Sequence, residues 1–127
     1  MNKVAPYLYK KVIEVPLYRG KFIILLTNSV KKASKYVPSL SNEEDIFAFA
    51  STGIYRKGTA FFMILNLTHE EKLTPGIIAH ESVHVASYVS TRAGIEADFD
   101  NDEPLTYLVG WITNEAHKFI NQKGFTI

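Results

Sequence analysis

The stretch Thr74-Pro75-Gly76-Ile77-Ile78-Ala79-His80-Glu81-Ser82-Val83-His84-Val85-Ala86 constrains this chain more than any other. Thr74 suits a helix N-cap and Pro75 the first helical position, where a missing N–H costs nothing. The apolar run that follows predicts a helix from Pro75 to about Arg92, ending near Gly94. At about 3.6 residues per turn, positions four apart share a face, so His80 and His84 can present both imidazoles to one ion. Glu81 lies one position round, where its carboxylate can take a proton from a water held at that ion. The pattern predicts a zinc site built for hydrolysis.

The rest of the composition narrows the options. A chain of 127 residues, 46% hydrophobic and 21% charged, reads as a single globular domain over 1–127, large enough to bury a core without staples. With no cysteine, only histidines and carboxylates remain as metal ligands. No segment approaches the apolar length of a membrane span, and Met1 to Tyr7 lacks the apolar centre of a signal peptide, so a cytoplasmic location without membrane partners is expected. Charge is uneven. Residues 1 to 60 hold ten Lys/Arg against four Asp/Glu, and residues 61 to 127 hold four against nine. A solvated basic face explains the first half, since nucleic-acid binding calls for a denser cluster than Lys31, Lys32 and Lys35.

In chain order, residues 7 to 18 read as a strand closed by a turn at Arg19-Gly20. Phe22-Ile23-Ile24-Leu25-Leu26 reads as a central strand covered on both faces. Asn28 or Ser29 can cap a helix through Tyr36, stopped by Pro38, with a polar connection from Ser39 to Glu44. A third strand is expected over Asp45 to Ser51 and a fourth over Thr59 to Leu67, joined by the hairpin residues Gly53 to Gly58. After the acidic loop Glu96 to Asn101, Asp102 can cap a last helix that runs to about Gln122, before Gly124. Its apolar stripe is Leu105, Leu108, Val109, Ile112, Ala116, Phe119 and Ile120. Glu103, Tyr107, Gly110 and Asn114 form a second face, which predicts a helix wedged between the sheet and the His-bearing helix. The expected fold is α+β: a small mixed or antiparallel sheet of about four strands, one N-terminal helix and two C-terminal helices.

Two imidazoles leave a zinc ion needing a third protein ligand and an open position. Glu103, Glu115, His117, His69 and the acidic loop are the candidates. Glu103 is favoured because it starts a helix able to return antiparallel to the first and shares a face with Tyr107 and the small Gly110. Glu115 lies about 120° round that helix, so it cannot serve together with Glu103. His69, beside Glu70-Glu71, reads as a surface residue.

His80-Glu81-Ser82-Val83-His84, followed nineteen residues later by Glu103 at the start of a helix, resembles the gluzincin, or thermolysin-like, clan of zinc metallopeptidases. Gly76 to Ala86 together with Glu103-Pro104-Leu105-Thr106-Tyr107-Leu108 is also similar to small single-domain metallopeptidase-like proteins of phage and prophage. The resemblance covers residues 74 to 112. It implies that His80, His84 and Glu103 hold zinc, that Glu81 is the general base, and that the partner is a peptide or protein substrate. Three features depart from that clan. Asp102-Glu103 stands for its Asn-Glu pair, Tyr107 stands where a carboxylate one turn after the ligand glutamate orients a histidine, and little of residues 1–127 is expected to remain for the far wall of a cleft. Tyr107, Tyr88 and His117 are candidates for the oxyanion donor, and an extended peptide is expected along the Ala60 to Leu67 strand. The competing readings are a catalytically silent zinc scaffold that docks on a host protein and a nucleic-acid binder with strongly salt-dependent affinity.

Overall fold

The computed structural model describes residues 5–40 and 46–127. Four strands, β1 (Leu8–Glu14), β2 (Lys21–Thr27), β3 (Ala48–Tyr55) and β4 (Gly58–Asn66), form one sheet in the order β1-β2-β4-β3. The β1–β2 and β3–β4 pairs are antiparallel, and the central β2–β4 pair is parallel. The fold is therefore α+β with a mixed four-stranded sheet. Phe22 to Leu26 are fully buried, as expected of a strand flanked on both edges and covered on both faces.

Alternation along β2 and β4 divides the core. Phe22, Ile24 and Leu26 with Phe61, Met63 and Leu65 face the helices α2 (Pro75–Arg92) and α3 (Glu103–Gln122). Ile23 and Leu25 with Phe62 and Ile64 face a smaller cluster of Val30, Ala33, Val37 and Leu40. The short helix α1 (Val30–Ala33) anchors that second layer. It is four residues long rather than reaching Tyr36. Its cap is Ser29, while the Asn28 side chain instead accepts from Tyr7 N and donates to Ala5 O. The Ser34 hydroxyl donates to Lys31 O, a local bond that competes with helix continuation.

Other boundaries move for identifiable reasons. β1 stops at Glu14 because Pro16 cannot donate to a ladder and Leu17 takes a φ of 66° in the turn that follows. The expected third strand slides towards its C-terminal end, to Ala48–Tyr55, and the hairpin closes on only Arg56-Lys57, with Tyr55 opposite Gly58. Gly53 is a strand residue paired with Ala60 rather than part of the turn. Asp45 and most of the Ser39–Glu44 connection lie outside the described residues. β4 has neighbours on both sides, so the Ala60–Leu67 stretch is no edge for a peptide; β1 and β3 are the edges.

Both long helices begin and end close to where sequence places them. The Thr74 hydroxyl accepts from Ile77 N, and α2 ends at Gly94 (φ 75°) with Gly94 N donating to Thr91 O and Ile95 N to Ser90 O. That pair of bonds satisfies the last carbonyls and requires the left-handed residue that glycine supplies. At α3, Gly124 N and Phe125 N repeat the arrangement on Asn121 O and Ile120 O. Asp102 precedes α3 but caps nothing with its side chain: its backbone is already helical, and Pro104 offers no N–H at the second position.

Of the glycines, Gly20 has the least room for a side chain. Its φ is 118°, and a Cβ there would stand 2.7 Å from Cε2 of the fully buried Phe61. Gly20→Ala is expected to cost about 2–3 kcal/mol, from backbone strain and overpacking together. A denaturant midpoint equal to that of the native chain would contradict this.

Candidate metal centre

α2 lies against β3 and β4 and packs along α3, burying Ile78, Val85, Ala86 and Val89. His80 and His84 therefore point to solvent from one face, one turn apart. Their Nε2 atoms are 3.2 Å apart, and the rings meet edge to face at 71°. Two nitrogens each about 2.05 Å from one ion at a tetrahedral angle lie about 3.3 Å apart, so the pair already has the bite that a single zinc requires. The same separation accommodates an Nε2–H···Nε2 hydrogen bond between neutral rings. The donor ring would then have to carry its proton on Nδ1 before both nitrogens could face a cation.

Glu81, by contrast, is only 8% exposed. Burial raises its carboxyl above the usual carboxylate range, opposed by the neighbouring His80 and His84. Its position one step round from the histidines gives a proton acceptor in a drier setting than theirs. Val83, 47% exposed, adds an apolar patch beside the imidazoles that sequence reading passed over.

Glu103 is the first residue of α3 and is exposed. Among the described residues no three His, Asp or Glu side chains converge on a point that could hold a metal ion, so the structure brings His80 and His84 together without Glu103. Two of the three expected ligands are thus brought to the separation that one ion would need. The expected wedge is also absent: Glu103, Tyr107, Gly110 and Asn114 form an exposed face, and nothing lies within 4 Å of a Cβ built on Gly110. The apolar stripe packs, with Leu108, Ile112, Ala116, Phe119 and Ile120 buried, and beside it Trp111 is tilted on Phe22 at 5.9 Å. Tyr107, 50% exposed, follows Glu103 on its open face one turn later.

The alternative ligands are committed elsewhere or set apart. Glu115 pairs with Lys118 at 3.1 Å. In the acidic loop, Asp98 Oδ1 accepts from Asp100 N and Asn101 Nδ2 donates to Glu96 O, so these two side chains bind the loop itself. His69 sits at a kink in the 3₁₀ stretch Leu67–Lys72, and Tyr88 and His117 are half-buried on α2 and α3. No helix among the described residues is long and apolar enough to cross a membrane. Compared with protein-family models, with curated proteins and with solved structures, the chain matches none.

Proposed function

We propose that the protein is a zinc-dependent peptidase of the gluzincin type, in which His80, His84 and Glu103 hold the metal and Glu81 moves the proton. The observation that carries this reading is the 3.2 Å Nε2 pair with the buried Glu81 beside it on the same helix. Zinc at that pair would supply a Lewis acid and a water of lowered pKa. Glu81 would take a proton onto its carboxylate and return it to the leaving amine. Burial supports the first half of that role, because it raises the carboxyl's affinity for a proton. The β3 edge beside α2 offers unpaired backbone groups to an extended peptide. Tyr107, in register with Glu103, is the oxyanion donor that would reach the site with it.

A second reading, a zinc-binding scaffold without turnover, is favoured by one observation: the imidazoles are exposed and Glu103 is not gathered to them. One experiment separates the two. Metal analysis after zinc loading and desalting should give one zinc per chain, and the loaded protein should cleave members of a peptide panel that stripped protein leaves intact. Tyr107→Phe should slow that cleavage. Zinc without cleavage selects the scaffold, and a failure to retain zinc removes both readings.

A further inference from the structure

Arg92 follows His84 by eight residues, about 12 Å along α2. There a concavity of about 390 Å³ opens where the β1–β2 turn, the β3–β4 turn and the end of α2 meet. All three arginines of the chain, Arg19, Arg56 and Arg92, line it, joined by Lys21 and Lys57. The one acidic group in the lining is Glu14, exposed and 3.9 Å from Lys21. Among the described residues no arginine makes an ion pair. Arg92 also gains from the helix dipole, but the other four cations have no such reason to gather.

The backbone gives a second, independent observation. Arg56 (φ 48°) and Lys57 (φ 67°) occupy the two central positions of the hairpin turn in the left-handed region. Asn-Gly is the ordinary choice there, and each bulkier residue costs about 1–2 kcal/mol. Strain of this kind persists where the side chains are needed. The Arg56 guanidinium also rests 5.2 Å over the Tyr55 ring, which holds it at the rim.

We propose that this concavity binds a small molecule carrying two or more linked phosphoryl groups. The guanidinium fork matches phosphate oxygens two at a time. Five cations against one carboxylate leave a net charge of four, close to that of two linked phosphoryl groups at roughly −1.5 to −2 each. The cations ring one hollow rather than follow a track, and Lys31, Lys32 and Lys35 lie outside it, which favours a compact ligand over a nucleic-acid strand.

The test is calorimetric titration of metal-stripped, desalted protein with inorganic pyrophosphate. One site is expected. Arg56→Asn/Lys57→Gly should weaken it at least tenfold while raising Tm, because that pair relieves the turn; Arg92→Gln should weaken it at least fivefold. His80→Ala/His84→Ala and Lys31→Gln/Lys32→Gln should bind as the native chain does, which keeps the result separate from the metal site. A nucleoside diphosphate that binds more tightly than pyrophosphate, or equally, supports the site in either case and tells whether the ligand has an organic body. No binding up to millimolar pyrophosphate, or native affinity in the Arg56/Lys57 variant, overturns it. So does tighter binding of a single-stranded DNA 20-mer that depends on Lys31 and Lys32.

Discussion

Glu81→Gln is expected to leave zinc bound at one per chain and to lower peptide hydrolysis by about 10²- to 10⁴-fold, the usual contribution of a positioned general base. The substitution keeps shape and burial and removes only the proton acceptor, so the imidazole pair should be undisturbed. Cleavage within threefold of the native rate, with zinc retained, would exclude Glu81 from the chemistry. The same variant carries an opposite expectation for stability. The folded protein holds the Glu81 proton more tightly than the unfolded chain does, because burial penalises the charged form. Glu81 therefore favours folding below the ordinary carboxylate range, and that contribution is lost as pH rises through the raised value. Metal-free Glu81→Gln should then melt above metal-free native protein at neutral pH, with the gap closing in acid. A residue that costs stability where it stands and is needed for turnover is what a catalytic role predicts.

How much of this was legible in the sequence depended on the range of the signal. The two long helices were, because cap, proline and terminal glycine act within a few residues: Thr74-Pro75 and Gly94 bound α2 as expected. The buried run Phe22–Leu26 announced a central strand for the same local reason. Long-range arrangement was not legible. Nothing within Ala60–Leu67 reveals that β3 closes over its outer edge, and so the strand expected to be an open edge is an interior one. Gly58 marked the turn, but Gly53 lies in the strand, and the two turn residues were hidden because Arg56 and Lys57 are not residue types that predict positive φ. The arginine-lined hollow was invisible for a related reason: Arg19, Arg56 and Arg92 come from three separate segments.

At the candidate metal centre the same distinction holds. His80, Glu81 and His84 are fixed relative to one another by a single helix, so their geometry follows from their spacing. Glu103 depends on how α3 settles against α2, and the two-faced pattern that argued for a close approach there proved to be one apolar stripe and one solvent-facing side.

Zinc titration of stability decides the third ligand. At a thousandfold excess of free zinc over its Kd, binding to the folded state adds about 4 kcal/mol, or roughly 10–20 °C in Tm for a domain of this size. His80→Ala or His84→Ala should abolish that shift, since a single imidazole keeps none of the 3.2 Å bite. Glu103→Ala should weaken zinc by more than the about 10–100-fold that a group merely orienting a ligand costs. Glu115→Ala should leave the shift unchanged, its carboxylate being held by Lys118. Glu103 can satisfy this expectation from its place in the fold. It is the exposed first residue of α3, so its carboxylate is open to an ion from solvent. If Glu103→Ala titrates as the native chain does while both histidine variants fail, two imidazoles and solvent hold the ion. The peptidase reading then loses the ligand set on which it rests, and the exposed pair on α2 is left as a binding site without the means of turnover.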